Sequence, residues 1–285
     1  MPETAPQEAA KPFVYRARPR VRLWGGALVL AIYVAIALLG GRLAPYDPDD
    51  QDLLNILGAP DAAHWLGTDQ IGRDQLARLL VGTRFTLAMT AMAVTLSVAI
   101  GAAFGLAAGY FGGKIDAAIT GLVDLLLTVP SLILAIAIAS VIGAGMTGLV
   151  IATTASFVPG TARLIRGRVI EIREEEYVQA AITVGMRDAR VILRHVLPNA
   201  VTVIVIEASL IAGQAVLVGT ALGFLGLGVQ PPAPEWGTML GAAREFLDVA
   251  PHLVVLPGLA ISLLIFGFNM LGDGLRDALD PHARI

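Results

Sequence analysis

Residues Phe85–Ala108, FTLAMTAMAVTLSVAIGAAFGLAA, include no charged residue in 24 positions. A helix of about 20 apolar residues is long enough to cross a hydrocarbon core of about 30 Å. Similar stretches recur along the 285-residue chain, which is 56% hydrophobic and 15% charged, whereas a typical soluble domain is about 25% charged. Strands of a transmembrane barrel would instead alternate over about ten residues. The composition therefore predicts an all-α membrane protein.

Six transmembrane helices are predicted from these apolar stretches. The fourth stretch contains Thr153, Thr154, Ser156 and Pro159, which predict a short and broken helix that its neighbours in a bundle would tolerate. The approximate bounds are Leu23–Leu43, Phe85–Ala108, Ala117–Ile142, Leu149–Arg163, Ala200–Gly226 and Leu253–Leu271.

The distribution of basic residues predicts the orientation. Lys and Arg are retained in the cytoplasmic segments of membrane proteins, and with six spans 15 of the 20 basic residues fall on the side that holds both termini. Residues 1–22 and 272–285 are therefore predicted to be cytoplasmic tails. The intervening segment 44–84 carries seven aspartates and a predicted short helix at Asp69–Leu80. We expect it to be extracytoplasmic, either as a docking surface or as a self-packed cap.

No motif for enzymatic chemistry is present in the sequence. The nearest match to a phosphate-binding loop, Gly112-Gly113-Lys114, lacks the required upstream glycine and the following Ser or Thr. The four histidines are far apart and lack zinc-ligand spacing, and there is no cysteine. His195 is interpreted as a hydrogen-bonding loop residue. We therefore predict no bound cofactor or metal, no ATP hydrolysis by this chain, and no binding of nucleic acid, since no basic run is long enough.

Two acids lie inside predicted spans, Asp124 in the third and Glu207 in the fifth. Such residues are costly in a membrane and line a pathway or pair with another helix. Both interpretations stay open, and in an ion-coupled secondary transporter these acids would form the relay. Asn269 and Asp273, at i and i+4, share a helix face. They are predicted to clamp a neighbouring segment.

The basic segment 166–199 is patterned more strongly than a simple connection. Its small and apolar residues are predicted to share one side of a short helix, and these are Tyr177, Ala180, Ala181, Val184 and Gly185. A segment of this kind docks on a soluble partner or forms a solvated loop.

The run from Glu176 to Ala200, EYVQAAITVGMRDARVILRHVLPNA, resembles the EAA loop of ABC importer permeases. In that loop Glu-Ala-Ala is followed by three residues, Gly, nine residues, Ile, one residue and Leu-Pro. The residues in this register are Gln179, Ala180, Ala181, Gly185, His195, Leu197 and Pro198. Gln179 and His195 depart from the pattern, and RHVLPN is similar to the variant of the peptide and nickel branch.

Other motifs resemble the same family, the C-type permeases of dipeptide, oligopeptide and nickel ABC importers. They are HWLGTDQIGRD (His64–Asp74), GYFGGKID (Gly109–Asp116), FLGLGVQPPAPEWGTML (Phe224–Leu240), PGLAI (Pro257–Ile261) and NMLGDGLRDALDP (Asn269–Pro281). The resemblance therefore covers nearly everything from Ala44 onward.

This resemblance implies a type I ABC importer permease fold, with a five-helix core at 85–271 and one extra N-terminal span at 23–43. It implies a second permease subunit, two cytoplasmic ATPases that bind ATP and Mg, and an extracytoplasmic solute-binding protein, in the bacterial inner membrane. The EAA loop at 171–199 would couple the chain to an ATPase, through the residues in the register above together with Glu176 and Tyr177. The solute is left open among dipeptides, longer peptides, nickel chelates and other small solutes. An ion-coupled secondary transporter is the alternative.

Overall fold

The structure, a computed structural model, describes residues 19–279, and the outer parts of both predicted tails lie outside this range. The described part is helical and contains one isolated β-bridge, between Thr68 and Asp74. Its α-helices are α1 (Pro19–Leu43), α2 (Gln75–Phe111), α3 (Gly113–Leu127), α4 (Ser131–Ile142), α5 (Met146–Glu174), α6 (Glu176–Thr183), α7 (Asp188–Val191), α8 (Leu197–Phe224), α9 (Trp236–Ala243) and α10 (His252–Leu279). A π-helical segment, Ile192–Val196, joins α7 to α8.

Within residues 19–279, five apolar helices are long enough to cross a membrane, and the pair α3 and α4 forms a sixth span if it is counted as one. The third predicted span is therefore wrong as a continuous helix, because α3 and α4 meet at an angle of 92°. Pro130 explains the break, since proline lacks an N–H and disfavours helical geometry at the preceding residue. With about 1.5 Å of rise per residue, neither 15-residue α3 nor 12-residue α4 crosses the bilayer alone.

Two further helix bounds differ from the prediction. α2 begins at Gln75, so the short helix predicted at Asp69–Leu80 is the first turn of a 37-residue helix. α5 is one unbroken helix of 29 residues that passes through Pro159. Side-chain hydroxyl groups bind carbonyls in the turns before Pro159, since Ser156 donates to Thr153 O at 2.8 Å and Ser97 of α2 donates to Thr154 O at 3.2 Å. Such bonds allow a proline inside a membrane helix.

A row of small residues holds α2 against α5. Residues at every fourth position of α2 face α5, and these are Ala93, Ser97, Gly101, Gly105 and Gly109. A Cβ atom added at any of the three glycines would lie 2.7–2.8 Å from an atom of α5. Small residues at this spacing let two membrane helices approach to backbone contact. The two helices run parallel, because α3 and α4 return the chain across the bundle.

The N-terminal helix α1 packs antiparallel along α10. Gly26 lies against the backbone of Leu271, and Tyr33 donates a hydrogen bond to Ala260 O at 2.8 Å. Arg22, near the start of α1, and Asp277, near the end of α10, approach within 3.7 Å. The start of α1 and the end of α10 therefore lie at the same end of the bundle as the α6 region.

Residues 44–74, which we call the cap segment, fold over the other end of the bundle. Arg78, in the first turn of α2, donates to Pro48 O at 2.9 Å and to Pro232 O at 3.3 Å. Trp236 of α9 is buried and donates to Leu79 O at 3.2 Å. The cap segment, α2 and the α8–α9 connection thus meet at one point.

Candidate coupling site and translocation path

The predicted short helix of the EAA segment is present as α6, and its residues divide between two faces. Val178 and Ala181 are buried in an apolar cluster with Ile172 of α5 and Val191 of α7. Tyr177, Gln179, Ala180 and Val184 are exposed, as is Glu176. Ala181, which was predicted on one side with Tyr177 and Ala180, is buried by the cluster beneath α6 and so does not belong to the exposed face.

A Schellman motif ends α6. Gly185 has φ +80°, and its N–H donates to Ile182 O at 2.9 Å while Met186 N–H donates to Ala181 O at 3.2 Å. This conformation strongly favours glycine, so the chain turns sharply at Gly185. Met186 and Ala181 then pack together at the base of α6, which fixes the direction in which the helix points.

The Leu-Pro part of the motif forms a π-helical turn. Pro198 has no N–H and its ring conflicts with the carbonyl four residues earlier, and Leu197 N–H binds Ile192 O, five residues back. Asn199 Nδ2 donates to His195 O at 2.6 Å. Such wide turns often occur at functional sites. His195 therefore lies in a helix and not in a loop, with its ring centroid 6.3 Å from that of Tyr177.

Residues that were not predicted as coupling residues stabilise the EAA loop at 171–199, which we call the coupling segment. Tyr110, at the end of α2, donates to Asp188 Oδ1 at 2.8 Å, and the Arg173 guanidinium lies 5.6 Å from the Tyr110 ring centroid. Gln179 Nε2 donates to Arg173 O at 2.7 Å. These contacts join α2, α5, α6 and α7. Tyr110 belongs to the GYFGGKID motif, but its partner lies 78 residues away, and no spacing rule predicts such a contact.

Two Arg–Asp pairs connect α3 to α5. Arg166 binds Asp116 through two hydrogen bonds of 2.5 and 2.6 Å, and Thr120 donates to the same carboxylate at 2.9 Å. Arg163 pairs with Asp124, and both of these side chains are more than half exposed in the single chain. The predicted fourth span ends at Arg163 and leaves Arg166 in the segment that follows, whereas α5 continues through both arginines to Glu174.

Three of these charged residues, Asp124, Arg163 and Arg166, line a cavity of about 320 Å³ between α2, α3 and α5. Charged groups facing lipid are costly and are normally directed to a water-filled path or a protein partner. We therefore expect the exposed side of these pairs to face a path or another subunit, and the role of Asp124 stays a prediction.

The other predicted polar residues are not brought together with Asp124. Glu207 is half buried on α8 and has no ion-pair partner within residues 19–279. Asn269 lies close to Gly213 of α8. Asn269 and Asp273 are both exposed. Their clamping role stays a prediction, and the ion pair that joins α10 to α1 uses Asp277 instead.

A buried acid holds the α8–α9 connection. Glu235 is fully buried, and its carboxylate accepts the N–H groups of Gly237 and Thr238 at 2.8 and 2.9 Å, which caps α9. Burial raises the pKa of this carboxyl, although the backbone hydrogen bonds act in the opposite direction. The sequence analysis quoted its motif without assigning Glu235 a role. An Asx or Glu cap before an apolar run would have been the pattern to search for.

Residues 101–285 match a protein family described as the binding-protein-dependent transport system inner membrane component. The chain belongs to this family. It is 43% identical to the dipeptide transport system permease protein DppC of Alkalihalophilus pseudofirmus, over 90% of this chain and 84% of the relative. It is 42% identical to the glutathione transport system permease protein GsiD of Pectobacterium atrosepticum, over 93% and 88%. The GsiD protein of an Escherichia coli strain is 39% identical to this chain, over 99% of this chain and 94% of the relative.

Among solved structures, this inner membrane component is similar to a chain of the MetNI methionine ABC transporter in an inward-facing conformation. The TM-score is 0.54 at 21% sequence identity, over 70% of this chain and 96% of that chain. This likeness confirms the type I permease fold. Family membership confirms that the chain is an inner-membrane permease subunit of an ABC importer and not itself an enzyme. It works with an ATPase and a solute-binding protein, and the ion-coupled alternative is not favoured.

Proposed function

We propose that the chain is one of two permease subunits in an importer of short peptides, served by two ATPases and an extracytoplasmic binding protein. The names of its relatives support this substrate class, since they transport a dipeptide and glutathione, which is itself a tripeptide. ATP and Mg would be bound by the ATPase partners.

The observation that carries the proposal is α6, a short helix on an apolar base with an exposed outer face. Ala180 is the exposed small residue that allows a partner to approach closely, and Gly185 fixes the angle of the helix. Five arginines lie between positions 168 and 194, at the same end as the start of α1 and the end of α10. We infer that this end is cytoplasmic, in accord with the retention of basic residues there.

The cap segment would then face the exterior, where the binding protein arrives. It is packed against the bundle through Arg78, yet Leu54 is fully exposed on it and Trp65 is largely exposed. Deletion of residues 47–61 would remove Pro48 and Asp49, both of which Arg78 contacts. Docking is therefore better tested with substitutions at Leu54 and Trp65, which leave those contacts in place.

Transport by the reconstituted complex tests the proposal. Proteoliposomes that contain both permeases, the ATPases and the binding protein should take up a dipeptide or glutathione only with ATP, and uptake should survive a protonophore. The Glu207→Gln variant should retain much of this uptake. The double variant Asp124→Asn with Arg163→Gln should also retain much of the ATP-dependent uptake, because it removes both charges of the pair and leaves neither one unpaired. Uptake that needs no ATP, collapses with the proton gradient and is lost in these variants would establish the ion-coupled alternative.

A further inference from the structure

We propose that the hydrogen bond between Tyr110 and Asp188 transmits movement of α6 to the transmembrane bundle, which makes Tyr110 a positioning residue for energy coupling. The proposal rests on the proposed function of α6 as the element on which an ATPase docks. Tyr110 lies in the last turn of α2, whereas Asp188 is the first residue of α7, just beyond the turn at Gly185. The tyrosine hydroxyl group donates to Asp188 Oδ1 at 2.8 Å.

The ring of Tyr110 contacts the coupling segment on several sides. It is 3% exposed and belongs to the apolar cluster that contains Val178 of α6 and Val191 of α7. The guanidinium of Arg173, at the end of α5, lies 5.6 Å from the ring centroid, within the range of a cation–π attraction. A displacement of α6 therefore moves groups that surround this one side chain of α2.

The hydrogen bond of Asp188 is selective. Arg187 and Arg190 are close to Asp188 in sequence, yet within residues 19–279 Asp188 forms an ion pair with neither. Its carboxylate instead accepts the hydroxyl group of Tyr110. A hydrogen bond to an ionised acceptor is stronger than one between neutral groups. Because α7 has only four residues, this bond fixes the segment that directly follows the turn after α6.

The helix that carries Tyr110 extends from the coupling segment to the opposite end of the molecule. Its 37 residues span about 55 Å at about 1.5 Å per residue. A Cβ atom added at Gly109 would lie 2.8 Å from Arg166 O of α5, so α2 and α5 are packed in backbone contact and a displacement is passed on. At the other end, Leu79 O accepts Trp236 Nε1 at 3.2 Å. Movement of Tyr110 would therefore reach α9 and the cap segment.

Removal of the hydroxyl group provides the first test. Proteoliposomes that contain the full complex allow the peptide imported per ATP hydrolysed to be measured. Tyr110→Phe keeps the ring in the apolar cluster, and this ratio should fall at least about fivefold because the two ends of the hydrogen bond then move independently. Tyr33→Phe is the matched control, since the Tyr33 hydroxyl group also donates at 2.8 Å, to Ala260 O of α10. The control should leave the ratio unchanged.

Two outcomes of this test would overturn the proposal. A purely structural role would lower the amount of assembled Tyr110→Phe complex but leave the ratio of peptide to ATP unchanged. An equal fall of the ratio in Tyr110→Phe and Tyr33→Phe would show that any lost interhelical hydroxyl bond has this effect.

Substitution of the acceptor provides the second test, at a position that is exposed and tolerates change. Asp188→Asn retains an oxygen that accepts the tyrosine hydroxyl group, so most of the ratio should be kept. Asp188→Ala should lower the ratio as far as Tyr110→Phe does. The double variant of Tyr110→Phe with Asp188→Ala should be no worse than either single variant, because the two residues act as a pair. Effects that multiply in the double variant would overturn the proposal.

A variant on the outer face of α6 separates this proposal from the one on which it rests. Ala180→Arg should prevent the ATPases from co-purifying with the permease, because Ala180 is exposed on the docking face. If the ATPases still co-purify, the docking role of α6 is wrong and the present proposal falls with it. If they are lost while Tyr110→Phe keeps the native ratio, the docking role stands and only the link through Tyr110 is wrong.

Discussion

Gly185 and Gly226 occupy the same position in the same motif at opposite ends of the molecule. Their φ angles are +80° and +82°, and an added Cβ would meet no atom within 4 Å at either position. After α8, Gly226 N–H donates to Gly223 O and Leu227 N–H donates to Leu222 O, as Gly185 and Met186 do after α6. The two glycines therefore form a matched pair for experiments.

Alanine at either glycine should lower the free energy of unfolding by about 1–2 kcal/mol, the cost of a left-handed conformation for an L-residue. Gly185→Ala alone should also reduce substrate-stimulated ATP hydrolysis and uptake, because it changes the angle of α6. Thermal unfolding and ATPase assays on the reconstituted complex measure the two effects. Equal losses of coupling in Gly185→Ala and Gly226→Ala would show that α6 has no special part in coupling.

At the scale of single residues, the motif spacing identified Gly185 but did not predict the buried position of Ala181. The motif spacing identifies a glycine that ends a short helix. The face that Ala181 occupies depends on Val191, which is contributed from beyond the turn. The same limit applies to Arg163, whose pairing with Asp124 depends on where α3 and α5 meet.

Among the elements, α9 depends on a single buried cap. Glu235→Ala should lower the free energy of unfolding by about 1–3 kcal/mol, because it leaves the N–H groups of Gly237 and Thr238 without an acceptor. Thermal unfolding of the complex measures this change. Glu245→Ala is the control, because Glu245 is an exposed acid shortly after α9, and it should change stability by less than about 0.5 kcal/mol.

The contribution of Glu235 should also depend on pH. Burial raises the pKa of its carboxyl, so the folded chain binds this proton more tightly than the unfolded chain does. The resulting stability is fully present below the ordinary pKa of glutamate and is lost as pH rises through the raised value. The difference in stability between the native chain and Glu235→Ala should therefore widen on acidification. A difference that narrows would contradict the direction of the shift.

The elements themselves could be predicted wherever apolar length alone determines a helix. α1, α2, α8 and α10 fall on predicted spans, with ends extended by a few residues to about ten. The prediction failed at the two prolines, in opposite directions. Pro130 breaks a predicted span although Thr128 donates to Leu125 O, whereas Pro159 lies in an unbroken helix that packs along α2.

At the scale of the whole molecule, the packing of α1 against α10 determines whether the extra N-terminal span joins the five-helix core. A Cβ at Gly26 would overlap the backbone nitrogen of Leu271 in α10, whereas Gly41 in the same helix has no atom within 4 Å of the added Cβ position. Gly26→Val should therefore separate α1 from α10 and lower the yield of assembled complex severalfold. Gly41→Val should leave the yield of assembled complex unchanged. Co-purification of the ATPases with tagged chain measures assembly, and similar yields from both variants would contradict close packing.

The sequence predicted the overall architecture more completely than its contacts. The lengths of the apolar stretches predicted the number of spans, and several motifs in order indicated the family. The meeting of the cap segment, α2 and α9 at Arg78 was not predicted, since its partners lie about 30 and 154 residues away along the chain. Contacts at such separations depend on the completed fold.

The pairing of Asp116 with Arg166 and of Asp124 with Arg163 bears on how the subunit is made. All four charges belong to one chain, and each arginine has its own carboxylate. A newly inserted chain therefore has no net charge on this face before any partner subunit is present. Four separate charges would make insertion much more costly. We therefore expect the chain, expressed alone, to insert stably into the bilayer, so that its synthesis need not be synchronised with that of its partner.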